Sequence, residues 1–249
     1  MMKKIFKNIL LLILIIVIWD IAAAHSNPVF IPKPLKVMED LKEMFYNGQL
    51  LQALKYSFLR ITSATLISAL IAIPIGILIY NVKLARDFLY PIVSAMRYIP
   101  VTAFYPLLIM WFGIDETMKI TFLFIATFVY MMPSVILALD EVNQDLIDTG
   151  LTIGMSKMQT ITQIQIPATL PSLMNSFIMM YGIGWTYIAV AETVNAKYGL
   201  GWIIQQSSSR GRTDMVFMAI IVIVIISVLF DYFAKKVVRK VFKWRYIND

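Results

Sequence analysis

The feature that most constrains this chain is a succession of charge-poor apolar stretches, each long enough to cross a bilayer as a helix. A hydrocarbon core of about 30 Å takes about 20 helical residues, and suitable stretches run over 9–24, 61–80, 88–112, 120–139, 172–191 and 215–233. Backbone amides in lipid are satisfied only inside helices or closed barrels. The short alternating segments of a barrel are missing from the sequence. The chain is therefore expected to be an all-α integral membrane protein with about six spans. Its 15% of charged residues falls well short of the quarter or so found in soluble domains.

The charges that remain are unevenly placed. Lys3, Lys4 and Lys7 precede the first apolar stretch, and Lys235, Lys236, Arg239, Lys240, Lys243 and Arg245 follow the last, within a net charge of +7. Lys and Arg flank spans on the cytoplasmic side, so the excess reads as membrane orientation rather than nucleic-acid binding. Both termini are then cytoplasmic. Residues 81–87 and 140–170 lie inside, while 25–56, 113–119 and 192–214 face outward. The basic start followed by an apolar run also has the form of a secretory signal. Trp19 and Asp20 interrupt the approach to Ala22, Ala23 and Ala24, and an uncleaved first helix is expected.

Several chemistries lack their residues. With no cysteine and one histidine, His25, the chain offers neither a disulfide framework nor a Cys/His metal site, and no cofactor is expected. The phosphate-cradling pattern Gly-x-x-x-x-Gly-Lys-Ser/Thr does not occur, so ATP would be handled by another chain. A multi-span membrane enzyme lacks the Gly-x-Ser-x-Gly elbow. An ion-coupled secondary transporter would show internal repeats and midplane ionisable residues, and no clear repeat is present.

Outside the spans, Val37, Leu41, Met44 and Phe45 recur at helical spacing among Glu39, Asp40, Lys42 and Glu43, which predicts an amphipathic external segment over 34–60. The connection 140–167 reads as two short helices broken at Gly154, with Pro167 and Pro171 closing the second. Leu139, Val142, Leu146 and Ile153 mark one apolar stripe, and Met155, Met158 and Ile161 another. A helical hairpin with apolar faces in a cytoplasmic loop calls for a partner groove.

This connection resembles the loop of ABC importer permeases, whose pattern is Glu-Ala-Ala, three residues, Gly, nine residues, Ile, one residue, Leu-Pro. Asp148, Thr149 and Gly150 stand in the first triplet, Gly154 at the glycine, and Ile164, Ile166 and Pro167 at the end, with every spacing kept. Asp for Glu, Thr-Gly for Ala-Ala and Ile for Leu are departures. The resemblance extends over nearly the whole chain to permeases of the sulfonate, taurine and nitrate type, which include transporters of thiamine-precursor pyrimidines. It is carried by Phe30-Ile-Pro-Lys-Pro34, Arg97-Tyr-Ile-Pro100, Pro106, Trp111-Phe-Gly-Ile-Asp115, Ala191-Glu192, Gly199-Leu-Gly-Trp202 and Arg212-Thr-Asp214.

The resemblance implies a single permease domain over 1–249, made of an N-terminal span with its external segment (1–60), core spans (61–237) containing the coupling loop (140–167), and a basic tail (238–249). It also implies a homodimer, two ATP-binding subunits that grip the loop through Met155, Met158 and Ile161 among others, and an external solute-binding protein.

Charges inside spans are costly, about 2.5 to 3.5 kcal/mol at a helix centre on insertion scales, so four residues are candidates for a translocation path or gate. Glu192 ends the fifth span, where it either lines the path or emerges into water or an interface. Arg97, near Pro100, either attracts an anionic solute or pairs with a carboxylate such as Glu192, or else snorkels to the surface. Trp185 lies beside Gly182 and Gly184, which allow close helix packing within or between chains. Asp20 and Asp231 read as packing residues, the sixteen methionines as adaptable packing, and Ser207-Ser-Ser209 as an external turn.

Overall fold

The computed structural model describes residues 2–246. The side chains of Lys3 and Lys4, and residues 247–249 of the basic tail, lie outside the described residues. Every regular element among those described is helical: α1 (Met2–His25), α2 (Pro34–Tyr46), α3 (Gln49–Asn81), α4 (Lys83–Met96), α5 (Phe104–Phe112), α6 (Glu116–Asp140), α7 (Gln144–Thr152), α8 (Lys157–Thr160), α9 (Ile166–Ala191), α10 (Leu200–Ser209) and α11 (Thr213–Val241). Among the described residues, four uninterrupted helical stretches are long and apolar enough to cross a membrane: α3, α6, α11 and the run Lys157–Ala191. The bent pair α4–α5 makes a fifth when counted as one span, and the apolar part of α1, Ile9–His25, is shorter.

The chain divides into two compact units, residues 1–58 with 192–226 and residues 59–191 with 227–249. The second unit is organised around α6, whose most apolar window is 67% buried, against 17% for α11. Phe122, Leu123, Ala126, Val135 and Leu139 of α6 are closed off from every side. In lipid, helices gain little from hiding apolar surface and associate instead through close packing and hydrogen bonds. Both are present here. A Cβ on Gly76 of α3 would overlap Cγ1 of Val135, and one on Gly184 of α9 would stand 2.8 Å from Cγ2 of Ile61. Ser68 and Thr127 join α3 to α6 by a 2.6 Å hydrogen bond. Gly184 thus serves packing within the chain, while a Cβ on Gly182 would meet open space.

The first unit is tied at its polar joints. The Trp19 indole donates to the Pro32 carbonyl (3.0 Å) and stacks on Phe217. Pro34 occupies the first turn of α2, where its missing N–H costs nothing. The buried Asp40 pairs with Lys36 at 3.0 Å and Arg212 at 3.4 Å, and Arg212 also pairs with Asp214 at 2.9 Å. Burial pushes the Asp40 carboxyl above the usual range, against the hydrogen bond from Lys36 that pulls it down.

Four expectations are corrected. The amphipathic helix stops at Tyr46 rather than running to 60, because Asn47 and Gly48 (φ +77°) end it, and the next, apolar helix already begins at Gln49. The stretch 88–112 is not one helix: it bends by 84° between α4 and α5. Ile99 precedes Pro100 and is steered away from helical angles. By contrast, α3, α6 and α9 run straight through Pro74, Pro133 and Pro171. Pro167 and Pro171 therefore do not close a short helix. A π-helical turn, Ile161–Gln165, lets the Ile166 N–H reach back to the Ile161 carbonyl, so the chain passes Pro167 without a break. Finally, Ser207–Ser209 is the last turn of α10 rather than a loop.

Candidate coupling loop and translocation residues

The connection between α6 and α9 is a joint locked by local hydrogen bonds. Asn143 caps α7, its side chain accepting from the Asp145 N–H at 2.9 Å. At the other end Gly154 adopts φ +90°, the left-handed region that glycine enters without penalty. There the Gly154 N–H donates to the Leu151 carbonyl and the Met155 N–H to the Gly150 carbonyl, both at 3.0 Å. That pair of bonds is the Schellman closure, which satisfies carbonyls the last helical turn leaves open. Two residues later Ser156 starts α8 with a capping box: its N–H donates to the Gln159 side chain (2.8 Å), and the Gln159 N–H returns to the Ser156 hydroxyl. The ammonium of Lys157 donates to the Asn81 carbonyl at 3.1 Å, fixing α8 to the end of α3.

The residues of this connection, the expected coupling residues among them, fall into two groups around the joint. Gly150 is buried, and a Cβ there would stand 2.5 Å from Cδ1 of Ile164 and 3.3 Å from the Met155 sulfur. Gly150, Met155 and Ile164 are therefore the internal contact between α7 and the segment after it. Ile161 and Ile166 are half-buried, and Pro167 is exposed in the continuous helix. Asp148 and Thr149 are exposed on α7. Leu146, Leu151, Ile153 and Met158 form the outer group, exposed by 51%, 49%, 73% and 68%. Leu139, read as the start of the apolar stripe, is instead buried in the core of α6. Ser156 and Gln159 were missed, although Ser-x-x-Gln beside a glycine is the sequence signature of a capped helix start.

Glu192 follows the last residue of α9 and is fully buried. The Ser57 hydroxyl lies 2.9 and 3.0 Å from its two oxygens, and the Gly201 N–H donates to Oε2 at 2.8 Å. Ser57 in turn accepts from the Leu200 N–H at 2.9 Å. The carboxylate thus sits at the N-terminus of α10, where unpaired N–H groups and the helix dipole favour negative charge. Gly199, at φ +142°, makes this possible, because a Cβ there would overlap the carboxylate. Arg97 is exposed at the α4–α5 bend with Pro100 three residues on. Trp185 is buried in α9, its indole N–H without a hydrogen-bond partner among the described residues.

The segments that carried the resemblance stand at joints of this kind: Arg97–Pro100 at the bend, Gly113 (φ +71°) and Asp115 between α5 and α6, Glu192 and Gly199 before α10, Arg212 just before α11 and Asp214 in its first turn. A profile of the family described as "binding-protein-dependent transport system inner membrane component" matches residues 64–243. The chain belongs to that family. Among curated members, the taurine transport system permease protein TauC of Escherichia coli is 31% identical over 240 residues, spanning 94% of this chain and 87% of its own. The putative aliphatic sulfonates transport permease protein SsuC of Bacillus subtilis is 29% identical, over 96% and 87% of the two chains. A solved structure of the MetNI methionine ABC transporter superposes with a TM-score of 0.69 at 24% identity, covering 80% of this chain and 98% of that one, and shows the shared fold. The chain is an ABC importer permease subunit, a multi-pass membrane component for small solutes rather than an enzyme.

Proposed function

We propose that this permease couples ATP hydrolysis in partner subunits to the passage of a small organic anion, and that the connection 140–167 is the coupling element. The observation that carries the reading is the outer group of that joint: Leu146, Leu151, Ile153 and Met158 stand exposed on a backbone fixed by a Schellman closure and a capping box. Apolar side chains held rigidly in the open lose little further entropy on docking, which suits a helix-in-groove contact. Asp148, Thr149, Gly150, Gly154, Met155, Ile161, Ile164, Ile166 and Pro167 shape the element that enters the groove of an ATP-binding subunit.

The working assembly is two copies of this chain as a single-domain permease, two ATP-binding subunits and an external binding protein, with six spans and both termini in the cytoplasm. Alkanesulfonates or taurine are the favoured cargo, supported by the two relatives above and by the basic chain; nitrate and a thiamine-precursor pyrimidine are alternatives. Arg97, Pro100, Trp185 and Glu192 are proposed for the path or gate, with Glu192 acting through the position of α10. Co-expression with the ATP-binding subunit tests the reading. The two should co-purify from detergent, and their ATPase activity should rise when a sulfonate-loaded binding protein is added. A permease that never associates with the ATP-binding subunit would refute the proposal.

A further inference from the structure

The first unit holds a cavity of about 400 Å³, within the size range of small-ligand sites. Its lining includes Gln49 and Gln52 at the start of α3, Trp202 and Gln206 on α10, and Arg210 and Arg212 after α10. The lining contains two arginines and no acid. Arg212 is held by Asp214 and Asp40, so its charge is answered within the wall. Arg210 is exposed and forms no ion pair among the described residues. The cavity therefore offers one uncompensated guanidinium, three primary amides able to donate to oxygens, and an indole with apolar neighbours Met44, Ile203 and Met215. Its α10 wall is fixed by the buried Glu192–Ser57 cluster at the helix N-terminus.

We infer that this cavity binds a small organic mono-anion, a sulfonate or carboxylate on a short apolar body, as an outward-facing acceptance site of the permease itself. Guanidinium and amide N–H groups match the oxygens of such a head group, and charge-assisted hydrogen bonds are about twice as strong as neutral ones. Trp202 and the methionines suit the apolar body. The outward placement of 192–214 rests on the topology proposed above; the ligand chemistry rests on the cavity alone.

The test uses the complete complex of permease and ATP-binding subunits in lipid nanodiscs, without binding protein, and butanesulfonate as the probe, with butanesulfonamide as its neutral counterpart. Binding is read by calorimetry. Wild type should bind butanesulfonate more tightly than the amide, Arg210→Gln should weaken the sulfonate by about tenfold with little effect on the amide, and Arg210→Lys should recover part of the loss. Equal sulfonate binding by wild type and Arg210→Gln, or none by wild type at millimolar concentrations, overturns the inference. A thiol placed by Gln49→Cys, unique in this cysteine-free chain, should be shielded by butanesulfonate. Shielding by unloaded binding protein but not by butanesulfonate would make the cavity a protein contact and overturn it as well. The functional reading fails separately: a complex with no ATPase response to any loaded binding protein sinks that reading, whereas the calorimetry decides the cavity either way.

Discussion

The α7–α8 joint and the Glu192 cluster solve opposite problems with similar parts. Each combines a glycine at positive φ, a serine and the start of a helix. At the α7–α8 joint the closing and capping bonds span a few residues, one longer bond from Lys157 reaches Asn81, and large apolar side chains are left outside. At Glu192 one partner, Ser57, comes from a distant part of the chain and the other, Gly201, from the helix that follows, and the charge is sealed from solvent. The first is a rigid presenter, able to keep its shape while its surroundings change. The second is a clamp that fixes where α10 sits.

The comparison breaks most sharply at Gly154. A branched residue at φ +90° costs about 1 to 3 kcal/mol of backbone strain, and with open space around the position that strain is the whole effect. Gly154→Val should turn α8 away from its docked direction. Solute uptake should fall by more than tenfold at normal membrane abundance, since no span is touched. Full uptake with an intact complex would make the joint a passive connector.

At the clamp the loss should appear as stability instead. Glu192→Ala leaves Ser57 and the Gly201 N–H buried without their acceptor, costing about 1 to 3 kcal/mol, and detergent melting should drop by several degrees. Glu192→Gln keeps an acceptor oxygen and should melt between the two. Melting unchanged in Glu192→Ala would remove the clamp from the account.

Smaller effects sharpen the contrast. Ser156→Ala removes half of the capping box, worth about 1 kcal/mol, and should reduce ATPase stimulation without abolishing co-purification. Gly150→Ala meets mainly the end of the Ile164 side chain, which can move. Uptake should stay near wild type there, whereas Gly150→Leu should lose most of it.

The same contrast explains what the sequence disclosed. The spans over α3, α6, α9 and α11 were legible because lipid demands long apolar helices, and Gly154 because the loop spacing is local. The bend at Pro100 was not legible in the sequence, where 88–112 reads as one span: residue type alone does not separate Pro100 from Pro74, Pro133 and Pro171, which leave their helices unbroken, since neighbouring packing decides that. The π-helical turn that carries the chain past Pro167 has no signature in residue type. The pairing of Glu192 with Ser57 spans 135 positions, and one sequence contains no term linking them. Ser156 and Gln159, by contrast, could have been read from their spacing.

The most direct test of the coupling claim uses the absence of cysteine. Met158→Cys places a single thiol on the most C-terminal of the exposed apolar residues of the joint. In the complete complex, a short bifunctional thiol reagent should cross-link it to a cysteine placed in the groove of the ATP-binding subunit, with a yield that changes on adding ATP. A control thiol at Tyr198 should give no such product. Absence of the Met158→Cys cross-link in a complex that still hydrolyses ATP and transports would contradict the assignment of residues 140–167 as the coupling element.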